Sequence, residues 1–137
     1  MRILLDTECW LWSLAAPERL NARAQSLITD RANTLYLSAA SSWEIAIKYE
    51  IGKLPLPEPP ETYVPSRMLA QGIEALPIEH THALRVASLP RHHRDPFDRL
   101  LVAQAEVEGI SLLTADRLIR KYKVSLIWAG RRPGKTR

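Results

Sequence analysis

The sequence lacks the features of several large classes of protein. Its 137 residues contain one cysteine, Cys9, which excludes an intramolecular disulfide and a multi-cysteine metal site. Such cysteine usage is typical of a reducing compartment, and we expect a cytoplasmic protein. Apolar runs extend over only a few residues, whereas a membrane span needs roughly 20. No P-loop or G-x-G-x-x-G motif occurs, so binding of a nucleotide cofactor is not indicated.

The composition is that of one globular domain. With 46% hydrophobic and 25% charged residues, the chain can bury a core. Arg2 precedes an apolar run, but Asp6 and Glu8 interrupt it, so we expect this segment to belong to the mature protein rather than to a signal peptide. We assign residues 1–129 to the domain and residues 130–137 to a basic tail, which we expect to be flexible.

The formal net charge of +4 comes from that tail. Without its four basic residues, the chain has 15 basic against 15 acidic residues. The four are Arg131, Arg132, Lys135 and Arg137. A basic arm favours binding to polyanions through counterion release, and a tail kept only for solubility is an equal alternative.

Hydrophobic periodicity predicts strands that alternate with helices. The predicted strands are residues 3–5, 34–37, 73–76, 111–113 and 124–127, and the predicted helices are 17–30, 42–49, 61–71, 79–88, 96–108 and 116–121. Strands in such alternation form a mainly parallel sheet with helices on both faces. We therefore predict an α/β fold with three layers, α/β/α, around about five strands.

Four carboxylates fall where such a sheet would bring them together, outside the carboxyl ends of its strands. Asp6 and Asp116 directly follow the predicted first and fourth strands. Glu44 lies in the first turn of the helix after the second strand, and Asp98 in the first turn of the helix before the fourth. Three of them have an ordinary structural role open to them: a helix cap for Asp116, the helix dipole for Asp98, and an ion pair with Lys48 for Glu44. Asp6 has no obvious partner nearby in sequence. Their joint placement favours a shared site.

A cluster of carboxylates predicts a bound hard cation. Mutual repulsion raises carboxylate pKa values unless a cation neutralises the charge, and all-oxygen ligand sets suit Mg²⁺ or Mn²⁺. These ions activate water and stabilise in-line displacement at phosphorus, so hydrolysis of phosphodiesters fits the chemistry. A Ser/His/Asp triad is a weaker alternative, because no G-x-S-x-G elbow is present.

Four sequence blocks together resemble the PIN-domain family, and specifically its VapC-type toxins. They are LLDT from Leu4, SAASSWEIAIK from Ser38 with the following Gly52-Lys53-Leu54, HHRDPFDRLLVAQA from His92, and LLTAD from Leu112. The resemblance covers nearly all of the chain except the tail. Any one block is a weak signal, whereas all four in this order are specific.

This resemblance implies an endoribonuclease that depends on Mg²⁺ or Mn²⁺, and it places the family's acidic positions on the same four carboxylates. Asp6, Asp98 and Asp116 would hold metal, Glu44 would complete the set, and Thr114 would orient a metal-activated water. It further implies a cognate antitoxin protein, as in a type II toxin–antitoxin pair, and a homodimer. Relatives often carry His at the position of Glu8, which here either adds charge to the site or faces solvent; we favour solvent.

Two other functions are compatible with the same features. A non-catalytic, regulatory PIN module would bind RNA through the basic tail, although its acidic cluster would then repel phosphates. A receiver-like phosphoacceptor domain would not explain Glu44 and Asp98 on helices.

Several other residues have open roles. Asp95 is either an outer acidic residue of the site or a helix cap. We expect His80 and His82 at the surface. His92 and His93 either contact a substrate phosphate or lie in a solvated loop, and the loop is favoured. Three tryptophans either belong to the core or line a groove for a protein partner: Trp10, Trp12 and Trp43. We favour the core at least for Trp43.

Overall fold

A computed structural model describes residues 1–131 of the protein. The sheet has five parallel strands in the order β3-β2-β1-β4-β5. The strands are β1 (Arg2–Leu5), β2 (Thr34–Ser38), β3 (Glu74–Leu76), β4 (Ser111–Thr114) and β5 (Leu126–Trp128). All five lie close to their predicted positions. Residues 132–137 of the basic tail lie outside the described residues, and its predicted flexibility concerns that part of the chain.

Six α-helices connect and cover the strands. They are α1 (Thr7–Ala15), α2 (Ala22–Thr29), α3 (Ala39–Glu50), α4 (Pro60–Gln71), α5 (His80–Val86) and α6 (Pro96–Glu108). Helix α6 has its predicted bounds, because Asp95 caps its first turn and Gly109, at a φ of 66°, ends it in the left-handed conformation. No helix in residues 1–131 is long and apolar enough to span a membrane.

The sheet separates two apolar cores, as the three-layer prediction requires. Ile3 and Leu5 of β1 point into a core shared with α1, α2 and α4, whereas Leu4 points into a core shared with α6. This division follows from the period of two along a strand, since successive side chains face opposite sides. Because both faces are covered, residues 3–5 of β1 are all apolar rather than alternating.

Four elements differ clearly from the prediction. Helix α1 was not predicted, because its buried Cys9 and Trp10 stand in an apolar run that lacks a clear helical stripe. Helix α3 begins at Ala39 rather than residue 42, capped by Ser38. The predicted helices 17–30 and 116–121 are shorter, with 3₁₀ turns at Pro17–Arg19 and Ile119–Lys121.

One buried side chain joins the two helices that carry predicted site residues. The hydroxyl of Ser38, at the start of α3, donates a 2.5 Å hydrogen bond to the amide oxygen of Gln104 on α6. The Gln104 amide nitrogen donates to the carbonyl of Pro77 at 3.1 Å. Both Ser38 and Gln104 are fully buried, so this contact links α3 to α6 inside the protein.

Candidate active site

Asp6 is mounted directly on the sheet. Its backbone N–H donates to the Leu113 carbonyl at 2.9 Å, which extends the pairing of β1 with β4 by one residue. The hydroxyl of Thr114 donates to Asp6 Oδ2 at 2.7 Å and accepts the N–H of Asp116 at 3.0 Å. Asp6 is only 6% exposed. Thr114 therefore fixes both the Asp6 carboxylate and the turn that carries Asp116.

Glu44 lies in the second turn of α3, not in the first as predicted, because the helix begins three residues earlier than expected. Its Oε2 accepts a hydrogen bond from Lys48 at 2.8 Å, as the spacing of four residues predicts. Its Oε1 is buried and has no hydrogen-bond partner among the described residues. A buried acceptor without a partner is costly, so this oxygen is available for a ligand.

Asp98 lies in the first turn of α6, as predicted, three residues after the capping residue Asp95. The side chain of Asp95 caps that helix by accepting the N–H groups of Phe97 at 2.8 Å and Asp98 at 3.2 Å. Asp95 also lines the cavity described below. Its cap role and its place at the edge of the acidic cluster therefore coexist.

His93 joins Asp98 to Asp116, which sequence reasoning missed. Its Nδ1 accepts the N–H of Asp95 at 3.1 Å, so the ring proton lies on Nε2. That Nε2 lies 3.0 Å from Asp98 Oδ2 and 2.8 Å from Asp116 Oδ2, and its N–H is shared between them. The side chain is 10% exposed. The predicted solvated loop is therefore wrong for His93, whereas the neighbouring His92 is exposed.

Asp116 sits in a turn rather than at the start of the predicted α-helix. Its Oδ1 accepts the N–H of Leu118 at 2.7 Å, which gives it the local cap role considered for it. Its Oδ2 faces His93. One side chain therefore both stabilises the turn and contributes to the cluster.

All four predicted carboxylates line one cavity of about 260 Å³. The cavity opens at the carboxyl ends of the neighbouring strands β1 and β4. After β1 the chain continues toward β2, and after β4 it continues toward β5 on the other side of the sheet, so a crevice forms between the two connections. The other lining residues are Thr7, Glu8, Leu11, Ile45, Lys48, Lys53, Leu54 and Asp95. Glu8 is exposed, as favoured, and also borders this cavity. The structure thus brings together the acidic residues predicted from strand ends and helix starts.

Burial and mutual repulsion perturb the cluster. The pKa of Asp6 rises to about 6, mainly because the group is buried; the Thr114 hydrogen bond opposes this increase, and the charges of Asp116, Glu44 and Glu8 contribute to it. The pKa of Asp98 rises to about 8, first because of burial and then because of the charges of Asp6, Asp95, Glu44 and Asp116. Among the residues that line the cavity, Lys48 and Lys53 are set against six carboxyl groups, so the acidic charge is only partly neutralised.

The donor set fits a divalent cation of the hard or borderline class. Carboxylate oxygens dominate, and the unpartnered Glu44 Oε1 is one of them. Within residues 1–131, His93, Asp98 and Asp116 offer ligand atoms that lie within 4.8 Å of one another. A cation beside them would remove the repulsion that raises the carboxylate pKa values.

Two predictions for other residues are wrong. His82 is fully buried rather than at the surface, because its Nδ1 accepts the N–H of Glu79 and its Nε2 pairs with Glu108 at 2.8 Å. Trp43 is 59% exposed, whereas Trp10 is fully buried. The ring of Trp43 packs edge-on against Phe97 at 5.1 Å, next to the helix start that carries Asp98.

Comparisons with known proteins agree with this architecture. Ribonuclease VapC16 of Mycobacterium tuberculosis is 50% identical over 58 residues, which make up 42% of this chain and 41% of that protein, so the match spans less than half of it. Ribonuclease VapC22 of the same organism is 31% identical over 122 residues, or 88% of this chain and 92% of that protein.

Solved structures share the fold at low sequence identity. A chain of VapBC2 from Rickettsia felis, bound to a promoter DNA fragment, superposes with a TM-score of 0.69 at 15% identity, covering 94% of this chain and 99% of that one. A chain of DNA-bound VapBC from Salmonella typhimurium gives 0.63 at 18% identity, covering 93% and 97%. The family model of the PIN domain matches residues 3–124. With the VapC22 match across nearly the whole chain, this shows that the protein belongs to the PIN-domain family, in its VapC group.

Proposed function

We propose that the protein is a metal-dependent endoribonuclease and the toxin of a type II toxin–antitoxin pair. The observation that carries this proposal is the cavity at the ends of β1 and β4, which Asp6, Glu44, Asp98 and Asp116 line together. Two of these carboxylates have raised pKa values, and one buried oxygen of a third has no partner among residues 1–131. A cation-binding role explains why four acidic groups are kept together despite their repulsion.

RNA is the proposed substrate because the VapC relatives are named ribonucleases. The cation, Mg²⁺ or Mn²⁺, would supply an activated water and neutralise charge that develops on the phosphodiester. No 2′-hydroxyl nucleophile is then required. The products should carry 5′-phosphate and 3′-hydroxyl ends.

Each residue has a role that follows from its contacts. Asp6, Asp98 and Asp116 would hold the cation, and Glu44 would complete the set through its free Oε1. Thr114 orients Asp6 by donating to Oδ2, since no donor among the described residues contacts the other carboxylate oxygen. His93 lies between Asp98 and Asp116 and holds both carboxylates in place through its Nε2–H. In the structure, the Thr114 hydroxyl orients the Asp6 carboxylate. We further propose that it orients the metal-activated water.

The proposed protein partner is an antitoxin encoded with the toxin. The basis is that the solved relatives are VapBC assemblies. We also propose a homodimer. Co-purification of the chain with the product of a neighbouring gene, and the mass of the purified chain in solution, test the two proposals separately.

The decisive experiment compares the wild type with Asp6→Asn and with Asp30→Asn. Asp30 is exposed at the end of α2 and accepts a local N–H that Asn can also accept, so it is a matched control. With Mg²⁺ or Mn²⁺, Asp6→Asn should lower the rate of RNA cleavage by about a hundredfold or more, because a direct ligand is lost. Asp30→Asn should cleave as the wild type does. Circular dichroism verifies that all three fold.

Three results would contradict the proposal. Cleavage by Asp6→Asn at the wild-type rate would remove the assigned site. Products with 2′,3′-cyclic phosphates would show a 2′-hydroxyl nucleophile. RNA binding that persists in chelator, with no cleavage when either metal is added, would instead support a non-catalytic RNA-binding module.

A further inference from the structure

The positive charge of the folded domain is concentrated on one side of the acidic cavity. Residues 117–131 contain five of the 19 basic residues of the protein and none of its 15 acidic residues. The adjoining loop 87–94 adds two arginines and again no acidic residue. Although the net charge of the domain is close to zero, its basic residues are therefore distributed unevenly along the chain.

Six exposed basic side chains form this surface, which we call the basic flank. They are Arg91, Arg94, Arg117, Arg120, Lys121 and Lys123. None of the six forms an ion pair with a carboxylate in residues 1–131. By contrast, Arg67 and Arg85 are each paired with a glutamate. The charge of the basic flank is therefore available to an external anion.

Two contacts hold the basic flank against the active site. The backbone N–H of His93 donates to the Tyr122 hydroxyl at 3.0 Å, which joins the loop 91–95 to the segment 117–123. The ring of His93 donates to Asp116 at 2.8 Å. Arg117 follows Asp116 in the chain, within a turn that the Asp116 side chain fixes. The unpaired cations therefore begin at the edge of the acidic cluster.

Aromatic rings lie among these cations. The guanidinium of Arg120 stacks over Trp128 at 4.5 Å, which orients that side chain. The exposed ring of His92 packs edge-on against Tyr122 at 5.0 Å. Cations interleaved with ring systems are typical of surfaces that bind a nucleic-acid strand. Of these rings, Tyr122 is buried, whereas His92 is exposed and Trp128 half-buried, so His92 and Trp128 are the two that a strand can reach.

We propose that the basic flank binds the phosphate backbone of the RNA strand on one side of the cleavage point. This inference rests on the proposed nuclease function and adds the direction from which the substrate reaches the cavity. Phosphates are repelled by the carboxylates, and cations beside the cavity offset that repulsion. Binding through several phosphates releases counterions and makes the affinity strongly dependent on salt.

The test measures binding separately from cleavage. In the Asp6→Asn protein with chelator, fluorescence anisotropy records the binding of a labelled single-stranded RNA of about 20 nucleotides, long enough for a typical binding site. Salt is varied between about 50 and 200 mM. The test variant is Lys121→Ala with Lys123→Ala, and a second variant is Arg91→Ala with Arg94→Ala. Both pairs are exposed, so they should fold.

The matched control removes two positive charges, as each test pair does, but at the amino ends of the strands, opposite the end that carries the cavity. Arg2 and Arg31 are exposed and lie at the amino ends of the strands, Arg2 as the first residue of β1 and Arg31 just before β2. Each basic-flank pair should weaken binding about tenfold at low salt and reduce the slope of log affinity against log salt by about 1.4, or 0.7 for each lost phosphate contact. Arg2→Ala with Arg31→Ala should bind within about twofold of the parent.

The outcomes separate this inference from the nuclease proposal. If RNA is bound and cleaved but the basic-flank pairs bind as the control does, the inference is wrong and the nuclease stands. If the pairs weaken binding as expected but the wild type never cleaves RNA, the surface stands and the nuclease proposal fails. If the parent binds no RNA at all, the inference is wrong, and cleavage by the wild type with metal still decides the nuclease proposal.

Discussion

Replacing Asp98 with Asn should stabilise the metal-free protein while removing a site carboxylate. An unfolded aspartate ionises near pH 4, whereas burial and neighbouring carboxylates raise the pKa of Asp98 to about 8 in the folded protein. The folded state therefore binds the extra proton. Below pH 4 this group does not weaken folding, and between pH 4 and pH 8 it lowers the free energy of unfolding progressively. An amide does not titrate, so the variant escapes this loss.

The size of the effect follows from the shift. At pH 7 the pH lies about three units above the unfolded pKa, and at about 1.4 kcal/mol per unit the ceiling is about 4 kcal/mol. Asp98 is 15% exposed and lies 3.0 Å from His93 Nε2, and both features reduce the penalty. We therefore expect a gain of about 1–2 kcal/mol, or about 4–8 °C in Tm for a domain of this size.

Urea unfolding in chelator, at about pH 5 and about pH 8, measures the gain. The stability difference between Asp98→Asn and wild type should be larger at pH 8, and the exposed Asp30→Asn should show no such trend. Addition of Mg²⁺ or Mn²⁺ should stabilise the wild type more than the variant, because binding to the folded state alone raises stability. An equal difference at both pH values, or a variant less stable at pH 8, would refute the reasoning.

Two further predictions concern residues that sequence reasoning placed wrongly. His93→Ala removes the N–H shared by Asp98 and Asp116, and it should weaken Mn²⁺ binding in calorimetry by about 10–100-fold, with partial recovery in His93→Gln; an unchanged Kd would deny His93 a positioning role. Trp10→Ala should reduce the free energy of unfolding by about 3–5 kcal/mol, because Trp10 is fully buried, whereas Trp43→Ala should change it by less than about 1 kcal/mol. Equal losses in urea unfolding would mean that Trp43 is covered.

The strands and most helices could be predicted from local signals. Pro96 and Gly109 bracket α6 so clearly that its bounds were correct. The placement of the carboxylates also followed from local order, because the carboxyl ends of parallel strands converge wherever the helices pack. Helix α1 could not be predicted from hydrophobic periodicity, because its apolar residues lie all around the helix axis and do not form a stripe on one face.

The errors at the site have a tertiary origin. His82 is buried through Glu108, which lies 26 residues away in sequence, and His93 meets Asp116 across 23 residues. No periodicity encodes such pairs. The adjacent positions of His92 and His93 made them look equivalent, yet backbone contacts with Asp95 and Tyr122 turn only the second ring toward the acidic cluster.

The buried contact between Ser38 and Gln104 has a consequence for how this fold can change during evolution. It fixes the distance between the start of α3, the helix that carries Glu44, and the C-terminal half of α6, the helix that carries Asp98. Residues on the outer faces of α3 and α6 can then be replaced to recognise new partners, while the geometry between the two carboxylates is preserved. The buried contact therefore allows the surface residues to change in evolution without changing the geometry of the active site.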